Sequence, residues 1–173
     1  MKRIIFILHI VLLFIGCKDL FDRKDDELSF VKTPNTSDKI RLDGYYYKYI
    51  VPDKVGIRIY YQNGIVYSTS KFNDIKSFEK KANDGRNEIT RESIKIQWGL
   101  YLIKEDSIFT NGLGIVSGDL HFSETFSKGI ILNDTTILFK ETKFSNGYID
   151  SYNDTLHFKQ FSPKPDSTNV FIK

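Results

Sequence analysis

What most constrains this chain is a period-two alternation of apolar and polar residues that restarts between short turn signals from residue 40 to residue 161. Residues 42–50 read Leu-Asp-Gly-Tyr-Tyr-Tyr-Lys-Tyr-Ile. On an extended strand this puts Tyr45, Tyr47 and Tyr49 on one face and Tyr46, Lys48 and Ile50 on the other. Residues 55–61 and 65–70 flank Gln62-Asn63-Gly64, and Asn-Gly between β-branched and aromatic runs is a strong hairpin signal, because a tight type I′ turn needs positive φ at its central residues. Further extended runs fall at 94–104, 107–116, 120–126, 129–132, 136–144 and 155–161. The composition suits sheets: ten Tyr and fourteen Phe bring aromatics to 14% of the chain.

One stretch carries a helical period. Asn73 is placed to cap it, Asp74 falls in its first turn, Ile75, Phe78 and Ala82 share a face, and Asn83-Asp84-Gly85 ends it. Three segments echo one another: Glu105-Asp106-Ser107, Asn133-Asp134-Thr135 and Asn153-Asp154-Thr155 each precede an apolar run, which reads as three similar hairpin turns. The expectation is therefore an all-β antiparallel meander of about eight strands with one short helix inserted after the first hairpin. An open meander leaves two edges free to pair, so closure into an up-and-down barrel is the economical arrangement.

The N-terminus carries a different message. Lys2-Arg3 precede twelve mainly apolar residues, 4–15, ending in Gly16-Cys17. A basic start, a short apolar core and a small residue make a secretory signal, too short to span a bilayer as a helix. Leu13-Phe14-Ile15-Gly16-Cys17 resembles the processing site of bacterial lipoproteins. The resemblance implies cleavage after residue 16, acylation of Cys17 and anchorage to the cell envelope. Cys17 is the only cysteine, so an internal disulfide is impossible. Residues 17–39, rich in charge, Ser, Thr and Asn, read as a solvated tether reaching roughly 25 Å as a coil. Within it Asp25-Asp26-Glu27 resembles the acidic surface-export signals of some Gram-negative lipoproteins, and Lys18 gives no sign of inner-membrane retention, which together imply the outer membrane and exposure at the cell surface.

Residues 40–161 then form the barrel domain and 162–173 a tail in which Pro163 and Pro165 leave the sheet. Leu42-Asp43-Gly44-Tyr45-Tyr46, the helical insertion, and Trp98-Gly99-Leu100-Tyr101 followed by Ile103 and Asp106-Ser107-Ile108 resemble the small lipocalin-like lipoproteins of Gram-negative envelopes. This likeness covers residues 40–161 and implies a lipocalin-like barrel with a ligand in its mouth.

Charge excludes one class of partner. Cleavage takes Lys2 and Arg3 from the 25 Lys and Arg, leaving them nearly balanced by 22 Asp and Glu, so no basic field for nucleic acid remains. Chemistry is sparse. No nucleophile elbow, phosphate-cradling loop or His-Glu-x-x-His occurs, and Ser117-Gly118-Asp119 reads as a turn. His121 and Glu124, three apart on a strand, point to opposite faces and share no metal, and neither a metal nor a cofactor is expected. The residues left as candidates are Tyr45, Tyr47, Tyr49, Tyr61, Trp98 and Tyr101, either lining a pocket or forming a platform, the bland alternative being that they fill the barrel. The chain reads as a non-catalytic envelope protein anchored in the membrane by acyl chains. Its expected partner is a small apolar ligand or an envelope component; the alternative is an interaction, inhibitor or immunity protein with a filled barrel.

Overall fold

Alternation and turn chemistry build the structure from the hairpins upward. The computed structural model describes residues 24–51, 53–85, 93–116 and 121–172. The signal segment, Cys17 and the turn expected at 117–119 lie outside the described residues. At Asn63-Gly64 the backbone turns with φ +82° at Gly64, and a Cβ there would stand 2.1 Å from the Thr33 carbonyl oxygen, so only glycine fits.

Eight antiparallel strands follow in chain order: β1 (Gly44–Val51), β2 (Lys54–Tyr60), β3 (Ile65–Phe72), β4 (Trp98–Lys104), β5 (Ser107–Gly114), β6 (Ser123–Asn133), β7 (Thr136–Phe144) and β8 (Ile149–Gln160). Each pairs with its chain neighbours, and β1 closes on β8 through Gly44↔Gln160 to Tyr47↔His157, so no edge is left open. The expected up-and-down barrel is what forms. Its helix, α1 (Ile75–Asp84), follows β3. The cap is Asp74, not Asn73: its Oδ1 accepts from the Ser77 amide at 2.6 Å, while the Ser77 hydroxyl accepts from the Asp74 amide at 3.3 Å. A short 3₁₀ turn, Lys95–Gln97, leads into β4.

Several boundaries differ from the sequence reading, among them the start of β4, expected at residue 94 and found at Trp98 after the 3₁₀ turn. Residues 123–126 and 129–132 belong to one strand, β6, which keeps its alternation through Ser127, Gly129 and Ile131; polar Ser127-Lys128 and Gly129 hid that continuity, and the extra residue where pairing slips lies on β7. Strand β8 begins at Ile149, so Asn153-Asp154 sits inside a strand. The β7–β8 turn uses Asn146-Gly147 instead, with φ +88° at Gly147.

Inward and outward residues form two separate apolar clusters. Inside the barrel, Tyr46, Tyr60, Val66, Tyr101, Ile108, Ile131, Ile137, Phe139 and Leu156 pack together, one or more from every strand. Ile40 and Leu42 join them at the end of the barrel that holds the β2–β3, β4–β5 and β6–β7 turns. The second cluster is on the outside of β1 to β4: Tyr45, Val55, Ile57, Ile59, Tyr61, Ile65, Tyr67, Trp98 and Leu100. It is covered by Phe78 and Ala82 of α1, by Leu28 and Phe30 of the N-terminal segment, and by Phe161 and Ile172 of the tail. Strand β2 is thus covered on both sides, with Val55, Ile57 and Ile59 outward and Gly56, Arg58 and Tyr60 inward.

The segment read as a free tether is, over residues 24–39, a strap along the barrel wall. The Asp26 amide donates to the Phe122 carbonyl at 2.8 Å, the Phe30 amide to Asn111 Oδ1 at 3.1 Å and the Asn35 amide to the Gln62 carbonyl at 2.8 Å. Aspartates 25 and 26 have structural work there. Asp25 accepts from the Phe122 amide at 3.0 Å and pairs with Lys95 at 3.2 Å, while Asp26 accepts from the Glu124 amide at 2.8 Å and from the Ser145 hydroxyl. Both carboxyls are held below the usual range, Asp25 first by its backbone hydrogen bond and Asp26 first by Ser145.

Candidate functional site

The inner cluster fills only the end of the barrel with the three tight turns. Towards the other end, inward positions change chemistry. Register places Arg58 of β2 opposite Ser68 of β3, Thr110 of β5 opposite Ser127 of β6, and Ser127 opposite Thr142 of β7. Ser127 Oγ and Thr142 Oγ1 are 2.7 Å apart, and Thr142 Oγ1 is 2.6 Å from Tyr152 Oη, forming a hydroxyl chain across three strands. Lys48 of β1 and Asp154 of β8 form an ion pair, with Lys48 Nζ also 5.7 Å from the centre of the Tyr152 ring. Asp154, expected at a turn, is thereby the partner of an inward lysine.

This polar half is open. One cleft of about 260 Å³ is lined by Arg58, Ser68, Thr110, Thr125, Ser127 and Asp150 among others, and a second of about 400 Å³ by Lys48, Ile50, Gly56 and Ser70. Both touch Arg58, Ser68, Ile96 and Gln97, so they meet across the same side chains, and their size is that of ordinary small-molecule sites. Gln97 stands at their junction, fixed by Nε2 donating to Thr69 Oγ1 at 2.9 Å and by Oε1 accepting from the Ile94 amide at 3.0 Å.

Arg58 lies where the two halves meet. Its guanidinium stacks over Phe139, 4.4 Å from the ring centre, so its underside is against the apolar plug. Nη1 is buried and has no hydrogen-bond partner. The Tyr60 hydroxyl beside it is buried too, without a well-aligned partner, and burial pushes its pKa up while the charge of Arg58 and a hydrogen bond with it offset part of the rise. A buried donor without an acceptor costs about 1–3 kcal/mol, more when it is charged, and stacking on an aromatic ring returns only about 0.5–2 kcal/mol. Arg58 Nη1 is thus a buried charged donor with no carboxylate or carbonyl of the described residues as its acceptor.

Of the six aromatic candidates the described lining of these clefts includes only Trp98, in the smaller one. Tyr45, Tyr61 and Trp98 are buried in the outer cluster, where Tyr45 meets Phe78 edge-on at 4.8 Å and donates to Glu79 Oε1 at 2.7 Å. Tyr47 packs against the edge of that cluster, and Tyr49 is 67% exposed on the outer wall. Tyr101 alone points inward, into the plug, its hydroxyl donating to the Tyr61 carbonyl at 2.8 Å. Strand alternation explains the division: odd-numbered Tyr45, Tyr47 and Tyr49 share a face, but it is the outer one. Trp98 Nε1 donates to Ser93 Oγ at 2.6 Å, a structural bond under the strap. Near it a crevice of about 500 Å³ runs between Leu28, Phe30, Leu100 and Ile172, a seam between the chain's own two ends.

Arg58, Ser68, Thr110, Ser127 and Thr142 form no motif, and sequence reasoning missed them. One signal was present: in Ile57-Arg58-Ile59 a charge shares the inner face with Tyr60, so a closed barrel had to bury it. No family model, curated protein or solved structure matches this chain.

Proposed function

We propose that this protein is a lipid-anchored component of the bacterial cell envelope, held by acyl chains on Cys17 in the outer membrane, whose barrel binds a small molecule at its open end without transforming it. The observation that carries the reading is a barrel packed solid at one end and lined at the other by hydroxyls around a buried arginine with an unused donor. That lining, hydroxyls and an arginine among walls that are otherwise mostly apolar, favours a ligand with polar groups over the wholly apolar one suggested by the sequence alone. Binding rather than catalysis fits a cleft whose charged groups are an arginine, one ion pair and surface-facing Lys71 and Asp150, and the described histidines, His121 and His157, do not line it.

A second reading, an interaction or inhibitor protein, is favoured by one feature. Tyr49, Ile50, Ile94, Ile115, Tyr148 and Ile149 are large, apolar and exposed, and all belong to the ends of strands or connections around the open mouth. Native mass spectrometry of the protein extracted from its own envelope in neutral detergent separates the readings. The denatured mass is expected to carry acyl increments at Cys17 and the native mass a further small-molecule increment. A bare native mass with a protein co-eluting in stoichiometric amount supports the interaction reading instead.

A further inference from the structure

We infer that the small molecule is a monoanion bearing a carboxylate, received by Arg58 at the floor of the open half, with the rest of a polar body lying among the hydroxyls of Ser68, Thr110 and Ser127. This inference rests on the ligand-binding reading above and adds the ligand's chemical class.

Three observations converge on it. First, Arg58 Nη1 is buried without an acceptor and Arg58 lines both clefts, whereas the neighbouring Tyr60 hydroxyl, near enough for a hydrogen bond with Arg58 to lower its pKa, is not part of either lining; the guanidinium is the donor group that a carboxylate meets. Second, the Arg58 guanidinium carbon is held 4.4 Å from the centre of the Phe139 ring, which positions the group at the boundary between plug and cleft, and its planar fork matches a carboxylate. Third, the charge count selects the valence. Lys48 is matched by Asp154, and the exposed Lys71 and Asp150, one in the lining of each cleft, carry opposite charges. Among the described residues Arg58 is therefore the one inward charge of the cavity without an acidic partner, which one carboxylate neutralises and a phosphate dianion over-fills. Above Arg58, the Ser68 and Thr110 hydroxyls line the cleft beside the linked pair Ser127 and Thr142, which suits a body carrying hydroxyl or amide groups.

The test uses the full-length protein in neutral detergent, with gluconate and propanoate as carboxylate probes, sorbitol and propanamide as their uncharged counterparts, and inorganic phosphate. Binding is followed by calorimetry and by the ligand-induced rise in melting temperature. The carboxylates are expected to bind saturably, gluconate more tightly than propanoate, with the uncharged counterparts and phosphate much weaker. Arg58→Gln is expected to weaken carboxylate binding at least tenfold, the scale of one charged hydrogen bond. Arg58→Lys, which keeps the charge and loses the planar fork, is expected to fall between and guards against a loss caused by misfolding. Equal binding of gluconate and sorbitol, or an undiminished affinity in Arg58→Gln, overturns the inference while leaving the barrel a ligand-binding protein. Absence of binding by every probe also overturns it, and the increment seen or not seen in native mass spectrometry then decides separately whether the broader reading stands.

Discussion

Two glycines on facing inner positions of β5 and β6 offer a sharp contrast between the packed and the open half of the barrel. At Gly129 an added Cβ would lie 2.8 Å from Ile108 Cγ2, 2.9 Å from Ile137 Cγ2 and 2.9 Å from Phe139 Cζ, three apolar groups locked in the inner plug. None is the free end of a flexible chain, so Gly129→Ala forces the plug apart, at about 1–3 kcal/mol for overpacking of this kind. At Gly112, in the open half, the same Cβ would find Thr125 Oγ1 at 3.4 Å and the Trp98 carbonyl at 4.0 Å, which is ordinary contact. Gly112→Ala is therefore expected to be neutral or to add up to about 1 kcal/mol by stiffening the unfolded chain. Urea unfolding followed by far-ultraviolet circular dichroism measures both. With a slope of roughly 2 kcal/mol per molar urea, Gly129→Ala lowers the midpoint by about 1 M and Gly112→Ala leaves it in place or raises it slightly. Equal midpoints for the two variants would refute the reasoning, because they would mean that the plug has as much room as the mouth.

The tail and the lipid anchor supply two further tests. Lys164 lies under the barrel floor, its Nζ 3.1 Å from the Tyr60 carbonyl and 4.9 Å from the Tyr61 ring centre, and burial pushes its pKa down to about 8 with only part of that returned by Asp43. A pKa lower in the folded than in the unfolded state means the unfolded chain holds the proton more tightly, so stability rises as pH climbs from about 8 towards 10, by roughly 1–2 kcal/mol after allowance for partial exposure. Above pH 10 the trend reverses, since burial raises Tyr45, Tyr46, Tyr61 and Tyr101 and the unfolded chain ionises first. Lys164→Met is expected to abolish the rise and keep the fall; a rise that persists in the variant contradicts the assignment. For the anchor, Cys17→Ala is expected to end incorporation of radiolabelled palmitate, and continued labelling refutes the lipoprotein reading.

Much of the architecture was legible because its signals are local. Asn63-Gly64 marks a turn through backbone sterics alone, and the helical period of Ile75, Phe78 and Ala82 stands out against period-two surroundings. Errors came where one local signal had two meanings. Asn153-Asp154 has turn composition, yet Asp154 faces inward to pair with Lys48, a contact to the far end of the chain that no window of sequence contains. The real turn at Asn146-Gly147 carried the same dipeptide that identified the first hairpin. The strap was illegible for a related reason. Leu28 and Phe30 look too sparse to order a charged segment until β1 to β4 present an outer apolar wall for them to cover. The site was hidden most completely, since its residues come from five strands and acquire meaning only when register sets Arg58 beside Ser68 and Thr110 beside Ser127.

The central claim is that the barrel is filled at one end and accessible at the other, and cysteine accessibility tests it most directly. Ile108 and Thr110 lie two residues apart on β5 and both face inward, one into the plug and one into the cleft. In full-length protein with Cys17 blocked, Thr110→Cys is expected to react rapidly with a small charged methanethiosulfonate. Ile108→Cys is expected to react only through unfolding, slower by orders of magnitude. Comparable rates at the two positions would contradict the account, whether because both are sealed in a wholly filled barrel or because both open onto a channel that runs through it.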